Sequence, residues 1–335
     1  CRTVPYHVVE AVLADPQLGA AGERRWDATV MFVDLVGFTS MCEAWAGVGE
    51  AGLSRLSEVL DEFFAVLLEQ AIFPYQGYVV QFGGDSVTVI FHGDDHAWRA
   101  SASALRARTL TETVGKGSGE PAELLRVRVG LASGDVRLPI LGDDTQRGVI
   151  VAGAPAHRAV ELQGQAEPGS VRLDESTLAL LAERAIGSAA PGGGLVLADL
   201  SSWPTPAAIA ELDGRIEEDT ERKIELLEPF VPPPLAARLK SMPEGWRIDG
   251  ELRRVIVVFC EVLGLAGGDR QEEAKQLARA ALRSFRLGAC FVTFFICASF
   301  RRLRRKQKPR RSGAVRRTRR DRLSPGGPCS ASASC

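Results

Sequence analysis

The stretch 77–91, GYVVQFGGDSVTVIF, constrains the fold of this chain more than any other. Two β-rich runs flank Gly83-Gly84-Asp85, and that pattern predicts a β-hairpin. A further run, ATVMFVDL at 28–35, reads as a buried strand. Gly37-Phe38-Thr39-Ser40 then turns the chain into a helical region. There Leu53, Leu56, Leu60, Phe63, Phe64 and Leu67 recur at helical spacing and predict an amphipathic helix over 51–70. Helices are also expected over 5–15, 95–115, 154–163 and 175–184, and strands over 149–151 and 171–173. The strand over 125–131 is expected to end at Ser133-Gly134-Asp135. This alternation of strands and helices points to an α+β sandwich with a mostly antiparallel sheet and flanking helices.

A chain of 335 residues has room for about two domains. With 45% hydrophobic and 25% charged residues, it is not collagen-like, mucin-like or wholly disordered. The longest clean apolar run, 287–300, falls short of the roughly 20 residues a bilayer span needs, so no transmembrane segment is expected. Seven cysteines, none in a CxxC pair, argue against a disulfide framework or a zinc site and fit a reducing, cytoplasmic setting. The first 30 residues lack the pattern of a signal peptide, and a chain opening on Cys rather than Met reads as a fragment.

Net charge is −1, which suggests no specific nucleic-acid partner, but that balance hides a segregation. Residues 301–322 hold eleven Arg, two Lys and one Asp, so this segment carries +12 and the first 300 residues carry −13. An internal repeat also appears. Residues 32–38 (FVDLVGF) match 259–265 (FCEVLGL) at an offset of 227, and Val4-Pro5 matches Val231-Pro232 at the same offset. The expected organisation is an N-terminal helical lead over 1–22, a first domain over 23–185 and a linker over 186–247. The start of a truncated second copy follows over 248–288, then a basic, disordered or non-native tail over 289–335. A nucleic-acid arm or a membrane-surface anchor are the alternatives for that tail.

Asp34 ends a predicted buried strand before a Gly-containing turn, and Asp85 sits at a predicted hairpin tip behind two Gly. If the hairpin lies beside the first strand, both carboxylates face one point. Two hard oxygen ligands plus a backbone carbonyl suit Mg²⁺, which keeps water and borrows phosphate oxygens. The amides of Gly37, Phe38 and Thr39, at a helix start, suit a phosphate. In the plainer reading, Asp34 caps its turn and Asp85 is a hairpin residue. Gly115-Lys116-Gly117-Ser118-Gly119 lacks P-loop spacing and reads as a connecting loop, and Asp94 and Asp95 read as caps of the next helix.

FVDLVGFTS at 32–40, GYVVQFGGDSVTVIF at 77–91 and VRVGLASGDV at 127–136 together resemble the class III nucleotide cyclase catalytic domain. The resemblance covers about 23–185 and continues weakly at 251–285. The tandem arrangement looks most like the soluble, bicarbonate-responsive type of adenylate cyclase. It implies a ferredoxin-like sandwich and conversion of ATP, or GTP, to a cyclic mononucleotide and pyrophosphate for intracellular signalling. It also implies two Mg²⁺ or Mn²⁺ ions on Asp34, Asp85 and the Leu35 carbonyl, and a second cyclase domain as partner, in cis or in trans.

The departures carry equal weight. The family's base-recognising Lys falls on Gln81, its base-selecting position on Ile150, and its Asn-x-x-x-Arg pair on His157 and Glu161. Glu cannot replace Arg, because it repels the phosphates that Arg attracts. The chain therefore reads as the metal-bearing half of a composite site, with little or no activity alone. The alternatives are a degenerate domain for nucleotide sensing or dimerisation and, from the Gly-Gly-Asp-Ser loop, a GGDEF-type diguanylate cyclase.

Overall fold

A computed structural model describes residues 4, 8–9, 23–111, 125–142, 146–207, 220–231 and 233–241. The 115–119 loop, the second copy over 248–288 and the tail over 289–335 lie outside the described residues. So does the expected helix over 5–15, apart from Val8 and Val9, which are helical.

Strand β1 (Glu23–Leu35) is the spine of the fold. Its residues from Ala28 to Val33 are all buried, because both faces of the sheet are covered there. Val30 and Phe32 point to one face, and Met31, Val33 and Leu35 to the other. The predicted hairpin forms as β2 (Tyr78–Phe82) and β3 (Ser86–His92), and β3 pairs antiparallel with β1. On the other side of β1 runs β4 (Val127–Gly142), also antiparallel. The remaining strands are β5 (Arg147–Val149), β6 (Val171–Leu173), β7 (Ala185–Ala189) and β8 (Leu195–Leu200). The sheet has eight strands in the order β2-β3-β1-β4-β6-β8-β7, with β5 beside β4. Among the described strands, only the β4–β6 pairing is parallel. The α+β sandwich with a mostly antiparallel sheet is thus the observed architecture.

Helices cover both faces. The larger core lies under α1 (Phe38–Ala46), α2 (Glu50–Val66), α3 (His96–Thr111) and α5 (Glu175–Leu181), and includes Phe63, Leu67, Phe91, Leu105 and Leu131. The smaller core lies under α4 (Ala154–Gly164), where Ala159 and Leu162 meet Val30, Phe32 and Ile90. Each fully buried Leu or Phe contributes roughly 1.5–3 kcal/mol of transfer free energy. A third cluster joins Val4, Val8 and Val9 to Leu227 and Phe230, at the end of α6 (Thr220–Leu227) and just beyond it. Helix α7 (Pro233–Ser241) follows.

A chain of polar side chains crosses the larger core. Thr29 on β1 lies 2.8 Å from His96 Nδ1 and 2.7 Å from the Ser133 hydroxyl, and Ser133 lies 2.8 Å from the Thr177 hydroxyl. All four residues are buried.

Three sequence expectations change. The helix over 51–70 becomes α2, followed by a π-helical stretch over Leu67–Ile72 that keeps Leu67, Ala71 and Ile72 buried. Ser133-Gly134-Asp135 does not end a strand, since β4 runs on through it and Asp135 points outward to Arg25 at 2.9 Å. The first part of the expected linker over 186–247 carries sheet: β7 and β8 pair there, and Gly192–Gly194, all at positive φ, form the turn between them. None of the described helices is long and apolar enough to cross a membrane.

Candidate metal and nucleotide site

Antiparallel pairing of β1 with β3 sets Asp34 opposite Ser86. The Leu35 amide donates to the Asp85 carbonyl at 3.2 Å. Asp34 and Asp85, from turns about fifty residues apart in sequence, therefore leave neighbouring strand ends. Each turn depends on glycine in the left-handed region, with Gly37 at φ 78° and Gly84 at φ 76°. Gly37 leads directly into α1, whose first turn contains no acidic residue and whose N-terminus has no side-chain cap. The amides around Phe38 and Thr39 thus start a helix beside the two carboxylates. Asp34, Leu35, Gly37, Phe38, Thr39 and Asp85, all singled out from sequence, meet at one end of the sheet.

The electrostatics are those of two acids held together. The Asp34 carboxyl is pushed up to about 6, first by burial and then by the charge of Asp85, while Arg128 and Gln163 pull it back. Asp85 is raised by burial, against a hydrogen bond with its own backbone. Two half-buried carboxylates side by side at one strand end could hold a hard divalent cation. No group of three or more His, Cys, Asp or Glu gathers among the described residues. Most of a bound ion's shell would therefore be water and phosphate oxygen, as Mg²⁺ prefers.

Two neighbours of the pair were not apparent from sequence. Arg128 lies directly across from Asp34 on β4, with its Nε buried and without a hydrogen-bond partner. Gln163, buried on α4, donates from Nε2 to Asp34 Oδ2 at 2.9 Å. A sequence signal for the second did exist. Gly130 sits inside a strand between the buried Val129 and Leu131, which marks a close backbone approach. A methyl group there would collide with the Ala159 carbonyl and the Gln163 amide on α4.

The other half of the expected site is differently furnished. His157 and Glu161 sit one turn apart on the exposed side of α4, paired at 3.1 Å, and Arg158 also reaches Glu161 at 3.2 Å. Gln81 is a half-buried residue of β2. Ile150 follows β5, and its amide donates to the Pro139 carbonyl at 3.2 Å.

The family described as the adenylate and guanylate cyclase catalytic domain matches residues 21–192, just over half of the chain. The chain belongs to this family. The match extends past 185 and so takes in β7. Among curated relatives of this cyclase domain, human adenylate cyclase type 10 is 26% identical over 161 residues, covering 44% of this chain and 9% of the relative. The mouse protein of that name is 26% identical over 159 residues, covering 44% and 9%. Drosophila melanogaster guanylate cyclase 32E is 27% identical over 160 residues, covering 46% and 13%. The chain thus spans only a small part of these proteins. Among solved structures, the guanylyl cyclase Cya2 covers 57% of this chain and 98% of its own at 22% identity and TM-score 0.47. The adenylyl cyclase CyaB from P. aeruginosa covers 56% and 100% at 19% identity and TM-score 0.45.

Proposed function

We propose that this cyclase domain supplies the metal-bearing half of a composite site that converts ATP to cyclic AMP and pyrophosphate. One observation carries the reading: β1–β3 pairing brings Asp34 and Asp85, both with raised pKa values, to one strand end beside the start of α1. Asp34, Asp85 and the Leu35 carbonyl are the proposed ligands of two Mg²⁺ or Mn²⁺ ions. Bound there, such ions supply charge stabilisation to both the attacking 3′-oxygen and the leaving pyrophosphate. The amides of Gly37, Phe38 and Thr39 orient the triphosphate at the positive end of α1. Arg128 adds a cation on the strand facing Asp34.

Base and ribose contacts come from elsewhere, because Gln81, Ile150, His157 and Glu161 replace the residues the resemblance calls for. A second cyclase domain, in cis or in trans, is the proposed source, and the repeat at 259–265 supports a cis copy beginning at 248. The lack of any CxxC pair in the sequence, and a free Cys42, support a cytoplasmic setting. Relatives named for both ATP and GTP chemistry make the base a point to test.

The experiment is cyclic-nucleotide production from Mn²⁺-ATP and Mn²⁺-GTP, with and without an added complete second cyclase domain. Activity only with the partner, lost in Asp34→Ala, supports the proposal. The engaged His157–Glu161 pair favours a second reading, a non-catalytic homology domain. Silence in every mixture, with nucleotide still bound, would establish that reading.

A further inference from the structure

We propose that Gln163 is a positioning residue: its amide fixes the carboxylate of Asp34 in the orientation that presents it to a divalent cation. The inference rests on the reading of Asp34 as a metal ligand.

Gln163 lies on the buried side of α4, next to Leu162 and one turn from Ala159, with 8% of its surface exposed. An amide in such a place costs free energy unless it is hydrogen-bonded, and an aliphatic side chain would pack there at no such cost. Its Nε2 donates to Asp34 Oδ2 at 2.9 Å, and the other oxygen of Asp34 has no side-chain partner among the described residues. The contact therefore occupies one oxygen and leaves the other open. The donor is also neutral. A Lys or Arg in its place would hold the carboxylate equally well but would compete with the cation for its charge. An amide orients the ligand without neutralising it, as outer-shell partners of metal ligands do.

A second observation shows that the contact is built into the packing. Gly130 on β4 faces Phe32 on β1, two residues before Asp34. Any side chain at 130 would meet the Ala159 carbonyl and the Gln163 backbone amide. The helix backbone thus rests directly on the strand, and that fixed separation sets the reach of Gln163.

The test is Mn²⁺ titration of the full chain by electron paramagnetic resonance, with thermal unfolding alongside. Gln163→Met keeps length and volume and removes the donor, and it should fold and bind Mn²⁺ about 10-fold more weakly. Leu162→Val, on the same helix, should lower Tm and leave Mn²⁺ affinity unchanged. If Gln163→Met fails to fold, Gln163→Asn withdraws the donor by one methylene and should weaken binding likewise. Mn²⁺ affinity unchanged in the Gln163 variant but lost in Asp34→Asn would overturn the inference and leave the metal reading standing. Equal weakening by Leu162→Val would also overturn it, by making helix packing the cause. Wild-type chain without saturable Mn²⁺ binding, or Asp34→Asn that binds like wild type, would sink both.

Discussion

The two halves of the candidate site are held in different ways. Asp34 is the penultimate residue of a strand paired on both sides, with Ser86 across from it on β3 and Arg128 on β4. Its position is set by sheet register, and a slip of one residue would turn it to the other face. His157 and Glu161 stand on the open face of a helix, each with 43% of its side chain exposed and tied to the other across one turn. Such pairs contribute only tenths of a kcal/mol. Residues held by sheet register keep their place as long as the fold stands, whereas residues on an open helix face are held by little beyond each other. The difference teaches that the carboxylate end is held as architecture while the exposed face of α4 is free to differ.

The sharpest way to break this comparison is to remove the carboxylates. Asp34→Ala or Asp85→Ala should lower cyclic-nucleotide formation with a partner domain by on the order of 100-fold or more, since each removes a ligand of the cations proposed to stabilise charge at the reacting phosphate. Retained turnover in either variant would move the site elsewhere. Next comes the contact between the two halves. Gly130→Ala should lower unfolding free energy by ~1–3 kcal/mol in urea melts, because α4 must lift off β4 to admit the methyl.

A smaller effect concerns the cost of the acid pair itself. In the fold Asp34 titrates near 6, above its ordinary 3.8, so its charged form is penalised once pH rises through that window. Free of metal, Asp34→Asn should therefore stabilise the domain at pH 7.5 by ~1–2 kcal/mol after allowance for its exposed half, and should have no effect below about pH 4. An equal gain at both pH values would show that the penalty is not electrostatic. The smallest effect belongs to the helix face. Glu161→Ala should change stability by less than ~1 kcal/mol and partner-dependent activity by less than about threefold. A large loss would mean that the exposed pair takes part in nucleotide binding after all.

The sequence made the carboxylate end legible for the same reason that the fold fixes it. A hairpin with glycines at its tip and a buried strand ending in Asp are local patterns, and the structure places their acids together. What the sequence did not disclose depends on contacts distant along the chain. Gln163 looks like any polar residue of an amphipathic helix until β4 is laid against it. The end of the domain was obscured differently. Gly192–Gly194 reads as a flexible connector, yet three successive residues at positive φ build the turn that reverses β7 into β8, with the Ala190 amide donating to the Gly194 carbonyl at 3.2 Å. The length of β4 was hidden by Gly134, which stays in the ladder at φ 145° instead of ending it.

The polar chain from His96 through Thr29 and Ser133 to Thr177 carries a consequence of its own. A hydroxyl has one proton to give and two lone pairs to accept with, so when Thr29 and Ser133 both spend their protons within the row, every donor points the same way. In that arrangement the tautomer of His96 and the hydroxyl orientation of Thr177, on the helices at the two ends of the row, are one choice and not two. Reversing it means turning every member together. A single non-polar replacement in the middle, such as Thr29→Val, would leave His96 on one side and the Ser133–Thr177 pair on the other, unconnected within the buried core.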